Sequence, residues 1–141
     1  MNSRQSALLL NIFPVLRYQD AARAIEWLCE AFGFDKHFVV PGPNNKVAHA
    51  ELRLGNGFVM LGSTSEDDDN LAKVRVQIKD AQGIYVYVED VDAHYERARA
   101  AGARPAAAPR DTDYGAREYT VRDLEGHIWS FGSYRPELID A

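Results

Sequence analysis

The sequence is poor in cysteine and in long apolar runs. Cys29 is the only cysteine among 141 residues, so no disulfide can form within the chain and a cytoplasmic protein is expected. The aliphatic run at residues 7–10 is too short to span a membrane and runs into Asn11. No charged start or cleavage site suggests export. We therefore expect no membrane partner.

Clustered positive charge is also missing. Lys and Arg number 16 against 21 Asp and Glu, which gives a formal net charge of -5. Without a Lys/Arg stripe the chain is not expected to bind nucleic acid, whose phosphates require one. What the chain does have is apolar material, with 46% hydrophobic and 11% aromatic residues. That amount suits one compact domain in which two small modules share a core.

The first half of the chain predicts a strand, a helix and three further strands. Residues 12–18 alternate as a strand does, and Asp20 stands where a helix N-cap belongs. Apolar residues at helical spacing then continue to Gly33, a typical left-handed residue at a helix end. Gly55-Asn56-Gly57 marks a hairpin turn. The three strands are predicted at residues 38–40, 47–54 and 58–61.

The same order of elements recurs in the second half. Residues 84–88 predict a strand, Asp90 and Asp92 offer N-caps, and helical spacing continues to Gly102. Asp90 stands 70 residues after Asp20, which indicates a duplicated unit. The rest is predicted as a Pro/Ala-rich loop with at most one weak strand at residues 105–113, and strands at residues 117–122 and 127–132.

An acidic run separates the two halves. Glu66-Asp67-Asp68-Asp69 cannot enter a core, so the segment around it is predicted to be a solvated linker. Residues 73–79 alternate charged and aliphatic side chains, which fits either an edge strand or a crossing segment. The predicted boundaries are residues 11–63 for module 1, 64–82 for the linker and 83–134 for module 2.

Three local patterns occur in a fixed order. They are Leu16-Arg17-Tyr18-Gln19-Asp20 before a helix ending Ala31-Phe32-Gly33-Phe34, Val88-Glu89-Asp90-Val91-Asp92 before one ending Ala100-Ala101-Gly102-Ala103, and Asp123-Leu124-Glu125-Gly126-His127. Together they resemble the vicinal oxygen chelate superfamily of glyoxalases, bleomycin resistance proteins and extradiol dioxygenases. The resemblance implies an α+β fold of two tandem βαβββ modules, forming a curved, cup-shaped mixed sheet with helices on the outer face.

The resemblance also implies where a metal would be held. In that superfamily, His and Glu from four strands hold a divalent metal inside the cup. The matching positions, seven residues before each helix-opening Asp and at the centre of each module's last strand, hold Phe13, Gly83, Met60 and Ser130. Because these are not a usual ligand set for a divalent metal, the chain is most similar to the metal-free bleomycin-resistance-like members. We expect no metal or other cofactor.

Strand alternation then predicts which residues line the cup. Side chains two residues apart on a strand share a face, so the matched positions identify their neighbours. The predicted ligand-binding residues are Phe13, Arg17, His49, Glu51, Phe58, Met60, Tyr85, Tyr87, Arg117, Tyr119 and Ser130. This mixture of rings and charges suits a planar, polar ligand. For Phe13 and Phe58 the alternative is an ordinary packed core.

Other chemically notable residues are predicted to have structural roles. Cys29 lies inside a helical pattern as a small buried hydrophobe, and His37 and His94 are predicted to lie at the surface. Trp27 and Trp129 alternate away from the predicted cup. Residues 111–115 form a turn in which Tyr114 could close over the cup as a lid, although a solvated loop is the favoured interpretation.

Three functional hypotheses follow. The favoured one is a homodimer that sequesters a small, partly aromatic molecule, since half-open cups leave edges that a second copy would cover. The alternative is a lyase, isomerase or dioxygenase-like enzyme in which His49, Glu51 and Arg117 are catalytic residues, acting with a metal at a position other than the family's or as acid and base. The third is a structural or regulatory dimer whose cup is filled by its own side chains.

Overall fold

The computed structural model describes residues 10–64 and 82–136. These residues separate into two compact units, each with its own four-stranded mixed sheet. Unit 1 holds residues 10–29 and 33–64, and unit 2 holds residues 30–32 and 82–136. The predicted linker lies outside the described residues except for its two ends, and so do residues 73–79.

Unit 1 contains the first βαβββ set. Its elements are β1 (Val15–Tyr18), α1 (Ala21–Phe32, whose last three residues belong to unit 2), β2 (Asp35–Pro41), β3 (Val47–Leu54) and β4 (Gly57–Ser63). The strand order is β1-β4-β3-β2, with β1 parallel to β4 and the other pairs antiparallel. The sheet is therefore open, with β1 and β2 at its edges.

Unit 2 repeats this arrangement. Its elements are β5 (Gly83–Tyr87), α2 (Val91–Ala100), β6 (Arg104–Asp111), β7 (Arg117–Arg122) and β8 (Ile128–Gly132). The strand order is β5-β8-β7-β6, with β5 parallel to β8. The predicted α+β class with two βαβββ modules is thus confirmed.

The caps predicted for the two helices are present. Asp20 accepts a hydrogen bond from the Arg23 amide (3.1 Å), and Asp90 accepts one from the Ala93 amide (3.0 Å). Each satisfies an amide that the first turn of a helix leaves without a partner. Gly33 ends α1 with φ 88°, a conformation that costs other residues more.

Two strand predictions need correction. The first strand begins at Val15, not Ile12, so Phe13 precedes it. The Pro/Ala-rich stretch, predicted as a loop with at most one weak strand, contains the eight-residue strand β6. β6 is an edge strand, so one of its sides forms no hydrogen bonds to another strand. Pro105 and Pro109, which have no backbone N–H to donate, are tolerated for this reason. The pairing of β6 with β7 shifts register near these prolines.

A buried carboxylate organises the turn between β7 and β8. Asp123 is 1% exposed. Its Oδ1 accepts hydrogen bonds from the Glu125 and His127 amides, both at 3.0 Å, and its Oδ2 accepts one from the Trp129 indole at 3.0 Å. Three donors thereby satisfy a charge that would otherwise be costly to bury. The same bonds hold Trp129 on the buried side of the sheet, as predicted.

Replacing Asp123 tests this arrangement. In Asp123→Asn one acceptor oxygen becomes an NH₂ donor, so at least one of the three buried donors loses its acceptor. We expect the free energy of unfolding to fall by about 1.5–3 kcal/mol, measured by chemical denaturation. The exposed Asp113→Asn is the control and should change it by no more than about 0.5 kcal/mol. Equal stability of the two variants would contradict this role for Asp123.

Candidate functional site

The open face of the unit 1 sheet carries a histidine and a glutamate in contact. On β3, Ala50 and Leu52 are fully buried, whereas His49 and Glu51 are partly exposed on the opposite face. The His49 Nε2 lies 2.9 Å from Glu51 Oε2, and the two side chains are 40% and 30% exposed. Solvent and a small ligand can therefore reach both groups.

A bulge adds His37 to the same face. Phe38 pairs with Glu51 and Lys36 pairs with Leu52, so His37 is the extra residue between them. A bulge redirects side chains, and the His37 Nε2 lies 3.9 Å from Glu51 Oε1. His37 was predicted as a surface residue, and it is half-exposed; its place beside Glu51 was not foreseen.

Aromatic rings border these polar groups. Phe58 on β4 contacts the ring of Phe13 edge to face, with centroids 6.4 Å apart, and the ring of His37 at 5.0 Å. The Arg53 guanidinium lies 5.9 Å from the Phe58 centroid. Met60 pairs with Glu51 across the strands. We call this surface, made of Phe13, His37, His49, Glu51 and Phe58, the histidine face.

Arg17 lies flat across the sheet beside this surface. It pairs with Gly62 on β4, and a Cβ at position 62 would collide with the Arg17 guanidinium. Glycine at position 62 leaves room for the arginine to lie over the strand. The consequence is a positive charge close to the sheet surface.

The open face of the unit 2 sheet carries tyrosines and hydroxyl groups. Tyr85 pairs with Ser130, and the Ser130 hydroxyl lies 3.0 Å from that of Thr120. Tyr85 and Tyr87 are 40% and 41% exposed. Ser130 is thus already hydrogen bonded to a neighbouring hydroxyl, while the two rings remain accessible.

Neighbouring groups contact both tyrosines. The Tyr85 hydroxyl passes over Gly132 and donates to the Tyr134 carbonyl at 2.5 Å, and burial raises the pKa of Tyr85. The Arg135 guanidinium lies 4.7 Å from the Tyr87 centroid. Tyr114, considered as a lid, is 60% exposed, and its ring contacts that of Tyr134 at 5.9 Å.

The prediction that Tyr119 shares the open face is wrong. Tyr119 is fully buried, and its hydroxyl lies 2.6 Å from the Nδ1 of His94 on α2. Tyr119 and Val121 face the buried side, so Glu118 and Thr120 face outward instead. The prediction assigned the alternating side chains of β7 to the wrong faces, which is an error of one residue. The alternation of Tyr119 with Val121 was the signal that could have corrected it.

Arg117 lies on the same face of β7 as Tyr119, the face toward α2, and it forms ion pairs. Its Nε and Nη2 donate to the two carboxylate oxygens of Asp92, both at 2.9 Å, and its Nη1 donates to Asp111 at 3.1 Å. The hydrogen bond from Arg117 lowers the pKa of Asp92. A guanidinium held by two carboxylates ties β7 to the start of α2. That contact contradicts the prediction of a cup-lining residue.

His94, predicted to lie at the surface, is partly buried. Its Nε2 donates to the Phe32 carbonyl at 2.9 Å, so its Nδ1 must accept the bond from the Tyr119 hydroxyl. The Phe131 ring lies 4.2 Å away between centroids. Burial is the main cause that lowers the pKa of His94 and raises that of Tyr119.

The four metal-matching positions do not fit a divalent ion. Phe13 and Gly83 have no donor, the Met60 thioether is soft, and the Ser130 hydroxyl is bonded to Thr120. Within residues 10–64 and 82–136, no three His, Cys, Asp or Glu side chains come together in a group able to hold a metal ion. We therefore assign no metal to these four positions.

In the same two ranges, no helix is both long and apolar enough to cross a membrane.

Comparison with known proteins identifies relatives across most of the chain. The family model described as "Glyoxalase/Bleomycin resistance protein/Dioxygenase superfamily" matches residues 11–131. The uncharacterized protein Rv0887c of Mycobacterium tuberculosis is 36% identical over 124 residues, covering 84% of this chain and 71% of that protein. The uncharacterized protein Mb0911c of Mycobacterium bovis has the same identity, with 80% of its length covered.

Solved structures share the fold. The crystal structure of TioX from Micromonospora sp. ML1 has a TM-score of 0.70 and 35% identity, covering 92% of this chain and all of that one. The bleomycin-binding protein of Streptomyces verticillus, solved with copper(II)-bleomycin, has a TM-score of 0.63 and 21% identity. The match covers 90% of this chain and 98% of that one.

The burial of His94 predicts a pH dependence of stability. Its pKa in the folded protein lies below the ordinary 6.5, so the unfolded chain takes up the proton first as the pH falls. The stability contributed by neutral His94 is present above pH 6.5 and is lost below it.

The free energy of unfolding, measured by chemical denaturation, should therefore fall more from pH 7.5 to 5 in the wild type than in His94→Gln. His127→Gln is the control, and identical pH slopes in wild type and His94→Gln would contradict this role.

Proposed function

Because this chain belongs to the glyoxalase/bleomycin resistance protein/dioxygenase superfamily, we propose that it binds and sequesters a small, partly aromatic molecule. The observation that carries the proposal is the histidine face. It presents a partly exposed ring, Phe58, beside the hydrogen-bonded His49 and Glu51. A planar ligand can stack on the ring while its polar atoms meet the imidazole and carboxylate.

Other open-face residues support the same function. Met60 can adapt to an irregular ligand surface, and Arg17 can meet an acceptor group of the ligand. The open face of unit 2 presents the exposed rings of Tyr85 and Tyr87 and the hydroxyl of Ser130, groups that also suit a partly aromatic ligand. Arg117 and Tyr119 are not part of the proposed site. Arg117 is hydrogen bonded to Asp92, and Tyr119 is hydrogen bonded to His94.

Binding in this proposal needs no metal. The four positions at which relatives with a metal site carry ligands hold side chains that cannot replace them here. A cytoplasmic location also belongs to the proposal, and a sequence with one cysteine, which excludes a disulfide within the chain, supports it.

Ligand binding can be tested by a nuclear magnetic resonance screen of planar, polar aromatic compounds, followed by calorimetry on each hit. We expect Phe58→Leu to weaken binding about three- to tenfold, because it removes a ring contact while keeping an apolar side chain. His49→Ala should weaken binding by a similar factor through a lost hydrogen bond. His127→Ala, in the Asp123 turn, is the control and should bind as the wild type does.

Each outcome of the screen has a defined meaning. A library without hits would count against the proposal, and so would hits whose affinity neither substitution changes. The His49–Glu51 pair also has the arrangement of a base and its orienting carboxylate, which favours an enzyme as the alternative. Chemical conversion of a bound hit, lost in His49→Ala, would support that lyase, isomerase or dioxygenase-like alternative.

We also propose that the protein is a homodimer. Every residue of the edge strand β2 is exposed, including the apolar Phe38, Val39 and Val40 at 54%, 40% and 36%. An exposed apolar edge strand is a surface that a second copy can cover. This exposure supports the proposal.

Light scattering after size-exclusion chromatography should give the mass of two chains. Val39→Lys should shift this to one chain, because a charge would then be buried in the interface. Val39 pairs with the buried Ala50, not with His49 or Glu51, so the variant spares the histidine face. Ala106→Lys on β6, the edge strand of the other sheet, is the control. A wild-type monomer, or a dimeric Val39→Lys, would contradict the proposal.

A further inference from the structure

Glu51 determines which nitrogen of His49 carries the proton. The nitrogen facing the carboxylate, Nε2, lies 2.9 Å from Oε2, and a carboxylate can only accept a hydrogen bond. Nε2 must therefore be the protonated nitrogen, and in the neutral imidazole Nδ1 is left as an acceptor. A histidine's tautomer is decided in this way by the bond that its other nitrogen makes.

The Nδ1 atom of His49 is available to a ligand. Glu51 is the hydrogen-bond partner that the described residues provide for His49, and the bond uses Nε2. The side chain is 40% exposed. An accessible imidazole with one nitrogen occupied and the other directed away from the carboxylate offers one acceptor of defined position.

His37 does not supply a second acceptor of this kind. Its Nε2 is 3.9 Å from Glu51 Oε1, beyond hydrogen-bond distance, so its tautomer is not determined by the carboxylate. Its ring instead contacts the ring of Phe58. The two histidines on this face therefore have different roles: His49 is oriented by Glu51, whereas His37 borders the aromatic ring.

We infer that His49 is a specificity-determining residue, which selects aromatic ligands bearing a hydrogen-bond donor, such as a phenolic hydroxyl, through its Nδ1. The inference deepens the proposed function and rests on it. Phe13 and Phe58 contact the ring of the ligand, and the hydroxyl donates to His49. Glu51 acts as a positioning residue that selects the Nε2-protonated tautomer of the neutral ring, which leaves Nδ1 as the acceptor. A ligand whose hydroxyl is methylated keeps the ring contact and loses the donor.

The test uses a matched pair of probes, 4-hydroxybenzamide and 4-methoxybenzamide, titrated into the full chain at pH 8. We expect the hydroxyl compound to bind roughly two- to tenfold more tightly, the value of one hydrogen bond. His49→Leu should abolish the ratio, and Glu51→Gln should reduce it. Phe58→Leu should weaken both probes and keep the ratio. His37→Gln is the matched control and should also keep it.

Nitrogen-15 spectra of the histidine side chains provide a readout independent of affinity. We expect His49 to show the pattern of an imidazole protonated at Nε2, with Nδ1 perturbed by the hydroxyl probe alone. In Glu51→Gln the spectrum should show a mixture of tautomers. A purely structural role of Glu51 would leave the tautomer of His49 unchanged.

The outcomes separate this inference from the proposed function. If both probes bind with equal affinity, or if His37→Gln removes the ratio, the assignment to His49 is overturned while ring binding stands. If neither probe nor any compound of the screen binds, the proposed function itself fails. An Nδ1-protonated His49 in the wild type would overturn the inference whatever the affinities.

Discussion

The parallel pairing of the first and last strand in each unit is the constraint on which the rest of the structure depends. It places Val15 opposite Met60 in unit 1 and Tyr85 opposite Ser130 in unit 2. A parallel pair cannot be closed by a hairpin and needs a longer crossover, which in each unit begins with a helix. Each unit consequently has helical residues to cover one side of its sheet and leaves the other side open.

Burial on one face makes the other face available for chemistry. In unit 1, Leu52, Val59 and Leu61 are at most 4% exposed, and in unit 2 the same holds for Tyr119, Trp129 and Phe131. These side chains fix the register, since a slip of one residue would expose all of them. The polar and aromatic residues between them are then necessarily outward. The core therefore sets the orientation of the surfaces proposed to bind a ligand.

The two open faces have diverged although the units repeat one arrangement. The histidine face combines a Glu-oriented imidazole with a phenylalanine, whereas its counterpart carries tyrosines and hydroxyl groups. Glycines at equivalent strand pairs, Gly62 and Gly132, let Arg17 in one unit and Tyr85 in the other lie across the sheet. The duplicated backbone thus supports different chemistry on each copy.

Local patterns in the sequence determined the order of elements, both helix starts at Asp20 and Asp90, and the strands at 47–54 and 117–122, because capping and alternation are short-range effects. The contact between His49 and Glu51 followed from their spacing on one strand. Tertiary structure alone decided the rest. The bulge at His37 and the full length of β6 depend on pairing with the neighbouring strand, and the contact of Tyr119 with His94 depends on α2. Pairing register is a joint property of two strands, so the pattern within one strand does not specify where a bulge falls.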